Sequence, residues 1–250
     1  MRSFGNLLAL ALVAAACRAQ QPAQSGEMGA MDSTDHNATA AAHEAMSGPM
    51  GGRADPHLHM TAARPATPAD SARAAALVVQ IREALGKYRD VRVAEADGYR
   101  QFLPGVQQPV YHFTSWRNAL AEGFRFDPAN PTSLLYRQSA DGRFELVGVM
   151  YVDRAQTPED ELNGRIPLSV AHWHQHVNWC VPPRGQRDRW RETRDGRAVF
   201  GPKSPIADAA ACAAVGGRFL PRIFGWMVHV QAFASDDPAV IWNTGHDHGP

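Results

Sequence analysis

From Arg18 to about Thr67 the chain is built of Ala, Gly, Ser, Gln, Pro, Met and His, with almost no aromatic or branched aliphatic residue. Such a stretch cannot bury enough apolar area to offset the entropy lost on ordering it. Any hydrophobic core must therefore be assembled from the residues that follow. At 250 residues the chain leaves room there for one substantial domain. The expected layout is a signal peptide over 1–16, a disordered Met/His-rich tether over 17–67, a single domain over 68–243 and a tail over 244–250.

The extreme N-terminus reads as an export signal. Arg2 supplies the positive end, Leu7 to Val13 begins an apolar stretch too short for a stable membrane span, and Ala14-Ala15-Ala16 offers small side chains to a signal peptidase. Cys17 follows, and the junction resembles the lipobox of bacterial lipoproteins, where the thiol is acylated and cleavage falls just before it. The match departs from the usual pattern at Ala14, where Leu is customary. Cleavage after Ala16 or Ala19 would instead give a freely soluble product. The expectation is a bacterial extracytoplasmic protein, periplasmic or outer-membrane, held to its membrane through Cys17.

Cysteine usage fits that address. With Cys17 set aside, Cys180 and Cys212 remain, an even number in an oxidising compartment. Two buried thiols, or a thiol ligand at Cys180, are the alternatives to a disulfide. Lys and Arg balance Asp and Glu at 25 each, so no charge excess calls for nucleic acid or an anionic surface as partner. No protein partner is indicated.

The domain reads as α+β with an antiparallel sheet at its centre. Thr67-Pro68-Ala69-Asp70 is a helix start, combining a capping hydroxyl, a first-turn proline and an early carboxylate. Ala76, Leu77, Val79, Ile81 and Leu85 supply an apolar face to about Gly86 or Tyr88. Asp90 to Asp97 predicts a second helical piece closed by Gly98. Leu134–Arg137 and Arg143–Val152 flank Asp141-Gly142, a hairpin signature because such turns need positive φ. Leu168–Val181 and Phe224–Phe233 are further strand candidates, and Ser204-Pro205 opens a helix running to Ala214. The sheet should thus carry an N-terminal helix and one or two short packed helices.

The sharpest chemical feature is His172-Trp173-His174-Gln175-His176-Val177-Asn178-Trp179-Cys180. Alternate residues of a strand share a face. His172, His174, His176, Asn178 and Cys180 would line one side, and Trp173, Val177 and Trp179 the other. Neighbouring positions i and i+2 stand about 7 Å apart, so two imidazoles from one strand can converge on an ion while other strands complete the set. His229 and His112 are the candidates. Alternation puts His229 with Met227 and Gln231, opposite Trp226, Val228 and Val230. The plainer reading is a set of core histidines satisfied by backbone carbonyls, or a surface stripe.

Leu146-Val147-Gly148-Val149-Met150-Tyr151-Val152, followed by a helical linker and Trp173-His174-Gln175-His176, resembles the core pattern of the oil-body-associated protein family and its bacterial relatives. The resemblance spans roughly 110–230. It implies a central pair at His174 and His176 with an upstream histidine at His112, and it implies no reaction.

Five of the eight methionines, Met28, Met31, Met46, Met50 and Met60, lie in the tether with His36, His43, His57 and His59. Thioether and imidazole together suit soft or borderline ions, Cu(I) above all, although drift in an Ala-rich spacer accounts for the same residues. His246 and His248 add donors in the tail. Hydrolytic chemistry has little footing: Ser115, Ser133 and Ser169 lack a nucleophile-elbow context, and neither a His-Glu-x-x-His run nor a Gly-rich phosphate loop occurs. The expected function is an exported, lipid-anchored metal-binding protein for copper or zinc, with His174, His176 and His229 as ligands and His172 or His112 completing or flanking the site. A metalloenzyme activating water or dioxygen at the same histidines would have a substrate-sized pocket beside them, with a carboxylate or a tyrosine such as Tyr111 or Tyr151 directed into it. A structural or interaction domain with the histidines as a polar core is the third reading.

Overall fold

The computed structural model describes residues 55–102, 104 and 108–243. The expected signal peptide, Cys17, the tether up to residue 54 and the tail from 244 lie outside the described residues. The fold is α+β, as the sequence pattern indicates.

Its first ordered element is a correction. Leu58–Met60 forms a strand, β1, inside the segment expected to be tether. It pairs antiparallel with a later strand, Leu58 opposite His176 and Met60 opposite His174. Folded structure therefore begins before Pro68, because partner strands supply the ladder hydrogen bonds and burial that the local composition lacks. Helix α1 spans Pro68–Leu85, and Thr67 caps it by accepting from the Asp70 N–H at 3.1 Å. Its buried face is Ala74, Leu77, Val78, Ile81 and Leu85; Val78 takes the place expected of Val79, which is half exposed. Helix α2, Val91–Ala96, is capped by Asp90 and followed by Gly98 at φ 94°.

The other strands are β2 (Arg100–Gln101), β3 (Tyr111–Thr114), β4 (Ser133–Gln138), β5 (Phe144–Asp153), β6 (His174–Val181), the hairpin β7 (Thr193–Arg194) and β8 (Arg197–Ala198), β9 (Arg218–Arg222) and β10 (Trp226–Val230). Between them lie α3 (Trp116–Glu122), α4 (Glu159–Arg165), α5 (Ala209–Ala214) and α6 (Pro238–Ile241). Short helices thus outnumber the one or two expected. α5 starts at its Asp208 cap rather than at Ser204, whose hydroxyl is used to bind the Val199 carbonyl. The long strand expected from Leu168 begins only at His174, since Leu168 to Val170 make a turn closed by Pro167.

The main sheet has the order β1-β6-β10-β5-β4-β3-β2 and is antiparallel throughout; β9 pairs with the far half of β6. β9 and β10 follow one another alongside β6, with the chain breaking step at Ile223–Gly225. Gly225 must be glycine, because a Cβ there would collide with the Asp153 carbonyl.

One irregularity decides how side chains are dealt between the faces. Leu135 is opposite Gly148 and Tyr136 opposite Leu146, which leaves Val147 without a partner in β4. An extra residue of this kind bends and twists a strand. Leu146, Val149 and Tyr151 join the large core cluster, while Val147 and Met150 join a second cluster with Leu135 and Met227 on the opposite face. The large cluster includes Ile81, Leu85, Tyr111, Phe113, Tyr136, Trp173, Trp226 and Val228, so α1 packs on that side.

Candidate functional site

The other face carries the histidines. His112 comes from β3, His174 and His176 from β6, and His229 from β10, and all four are buried. His229 and Met227 alternate with Trp226, Val228 and Val230 as the sequence pattern requires, the latter three lying in the large core. Likewise Tyr111 and Phe113 face that core while His112 faces away from it.

The four rings form a chain. His112 to His229, His229 to His174 and His174 to His176 are each 5.5 Å between ring centroids. Nε2 of His112 and Nε2 of His229 are 3.5 Å apart. Their strands are separated by β4 and β5, which on a flat sheet would place the backbones about 14 Å apart. Contact between the ring tips therefore means that the sheet curls, concave on the histidine side. Two nitrogens bound to one tetrahedral ion at the usual 2.0–2.1 Å stand about 3.4 Å from each other, so this pair already has ligand spacing. Among the described residues no three His, Cys, Asp or Glu side chains are gathered about one point as they stand.

Other expectations on this strand change. His172 precedes β6, is only half buried, and is not in the chain of rings. Asn178 adopts φ 58°, in the left-handed region, which breaks the alternation expected along the run. Trp179, expected on the far face, stacks edge-on to His176 at 5.8 Å. Cys180 turns away from the histidines and is bonded to Cys212, with Cα atoms 5.4 Å apart. The disulfide is therefore present and the alternative of a thiol ligand at Cys180 falls away.

Residues that sequence reasoning did not join to the site surround it. In the ladder, His174 is opposite Met60 on one side and Met227 on the other, and His229 is opposite Met150. Phe102, Val110, Val152 and Phe224 pack around this cluster. Met227 was signalled by its alternation with His229; Met150 was masked by the bulge, and Met60 by the composition around it. His57, also from the expected tether, is buried and its Nε2 donates to the Ser204 carbonyl at 2.6 Å. Tyr111 and Tyr151 face the large core, where their hydroxyls donate to Gln138 and the Pro128 carbonyl.

At the β4 side of β5, Glu122 is fully buried; its Oε2 accepts from the Thr132 hydroxyl at 2.5 Å and from the Val152 N–H at 3.0 Å. Its Oε1 has no hydrogen-bond partner among the described residues. Burial pushes the carboxyl up to about 8, against the pull of these donors and of Arg165. Arg165 is committed nearby to Asp153, Nε to Oδ2 at 2.9 Å.

Comparison with protein-family models, with curated proteins and with solved structures returns no match to this chain. Among the described residues no helix is long and apolar enough to cross a membrane.

Proposed function

We propose that this is an exported metal-binding protein, lipid-anchored at Cys17, that holds a copper or zinc ion with His112, His229 and His174, with His176 beside them. The observation that carries the reading is the meeting of imidazoles from three strands on one concave face, with the His112 and His229 Nε2 atoms 3.5 Å apart. A third ring, His174, lies one centroid spacing from His229. Imidazole is a good ligand for both ions, and burial among apolar side chains would exclude competing water. His172 drops to a flanking role. The Met and His residues upstream of β1 would capture the ion or pass it on.

Of the groups that a metalloenzyme would direct at the ion, Tyr111 and Tyr151 lie with the opposite core. Elemental analysis of untagged full-length protein tests the proposal. About one equivalent of copper or zinc is expected, lost in the His112→Ala/His229→Ala variant while its far-ultraviolet circular dichroism stays unchanged. Full occupancy in that folded variant would remove the site. Palmitate labelling of the wild type, abolished by Cys17→Ala, tests the anchor separately.

A further inference from the structure

We propose that Met60, Met150 and Met227 act as thioether donors to the histidine site and that the ion it takes is Cu(I). The inference rests on the histidine reading above and narrows it to one ion. Residues directly opposite in an antiparallel ladder point to the same face, with Cβ atoms roughly 4.5–5.5 Å apart. Met60 and Met227 stand in that relation to His174, one on each side, and Met150 to His229. Every methionine among the described residues therefore neighbours one of two adjacent imidazoles. Each side chain is long and unbranched, so its sulfur can swing toward a ring nitrogen across the ladder.

Donor type then selects the ion. Zinc sites are closed by imidazole, thiolate or carboxylate. Both cysteines among the described residues are consumed in the disulfide, and the apolar cluster on the histidine face is Leu135, Val147, Met150 and Met227 with Phe102, Val110, Val152 and Phe224. A neutral, apolar surround offering imidazole and thioether suits a soft monovalent cation better than a divalent one, because less charge has to be compensated there. The placement of Met60 strengthens the point. Met60 belongs to a segment with almost no other core-forming residue, and the strand that carries it is three residues long and sits directly against His174 and His176.

The test is anaerobic titration of untagged full-length protein with Cu(I) against a chromophoric Cu(I) chelator, and in parallel with Zn(II) against a zinc chelator. Met60→Leu/Met150→Leu/Met227→Leu keeps the volume and apolarity of each position. Loss of at least about tenfold in Cu(I) affinity is expected, with Zn(II) affinity held within about twofold. Copper K-edge absorption of the wild-type Cu(I) complex should show a sulfur shell at the metal, a readout that does not depend on any variant folding. A nitrogen-only shell, or Cu(I) affinity unchanged in the triple variant, would overturn the thioether assignment and leave the methionines as core filling. His112→Ala/His229→Ala separates the two levels. If it loses metal while the methionine variant does not, only this inference fails; if it keeps both metals, the histidine reading fails as well.

Discussion

Trp173 and His174 are neighbours in the chain with opposite surroundings. Trp173 is wholly buried in the cluster that includes Ile81, Tyr151 and Trp226, while His174 joins His229, Met227 and Met60 on the other side of the same sheet. β5 and β10 divide their residues in the same way. One face is aromatic and branched aliphatic and is covered by α1; the other has imidazoles, thioethers and a smaller apolar lining. Packing strength and chemistry are thus carried by alternate residues of common strands, and a substitution should affect one with little effect on the other. The contrast is sharpest at adjacent positions. Trp173→Ala should lower stability by about 3–5 kcal/mol, the cost of emptying a large core site, read as a shift in the urea midpoint of metal-free protein. His174→Ala should cost about 1 kcal/mol and weaken metal binding instead. Equal destabilisation by the two would mean that the histidine face is a second structural core.

The disulfide tests a different part of the same contrast. Cys180 lies on β6 four residues beyond His176, and its bond to Cys212 fixes α5 against that strand. Phe200 and Val199 close around it in a small cluster separate from both faces. Closing a loop with a sequence separation of 32 residues should contribute roughly 3–4 kcal/mol by restricting the unfolded chain. Cys180→Ser/Cys212→Ser should therefore unfold at lower denaturant, yet bind metal unchanged at temperatures where it remains folded. Weaker binding by the folded variant would show that the bond also positions His176.

Elements governed by near neighbours in sequence were legible; those that depend on distant partners were not. The Thr67 cap, the Asp141-Gly142 turn and the alternation around His229 each follow from a few adjacent residues. An even count of cysteines and an oxidising compartment favour a bond between Cys180 and Cys212, but two free thiols or a thiol ligand fit the same residues. β1 could not be read locally, because only pairing with β6 makes a strand of Leu-His-Met. The run from His172 to Cys180 was read as uniform alternation, and the left-handed turn at Asn178 defeats that for Trp179 and Cys180. Convergence of His112 with His229 depends on curvature across four strands, helped by the bulge at Val147. No spacing in the sequence encodes it. For the same reason the methionines were visible as a composition but not as neighbours of particular imidazoles.

A pH-dependent effect is expected at Glu122, where the two faces meet on β5. Its carboxyl accepts from the N–H of Val152, whose side chain packs on the histidine face, while its charge would be felt by Tyr151 in the large core. Burial raises the folded carboxyl to about 8 from an ordinary 4.5. Between those values the folded chain holds one proton more than the unfolded chain, so stability falls as pH rises and levels off above about 8. Glu122→Gln keeps an acceptor for Thr132 and Val152 but never ionises. The two proteins should match near pH 4.5, and the variant should be the more stable at pH 9, by at most roughly 5 kcal/mol, the full worth of that rise. Urea unfolding of both metal-free proteins across this range isolates the carboxyl, because every other side chain is common to the two. Parallel curves would mean that Glu122 is charged in the folded protein and that water reaches the boundary between the faces. A diverging pair would show that this boundary is dry at neutral pH, as a buried site on the concave face requires.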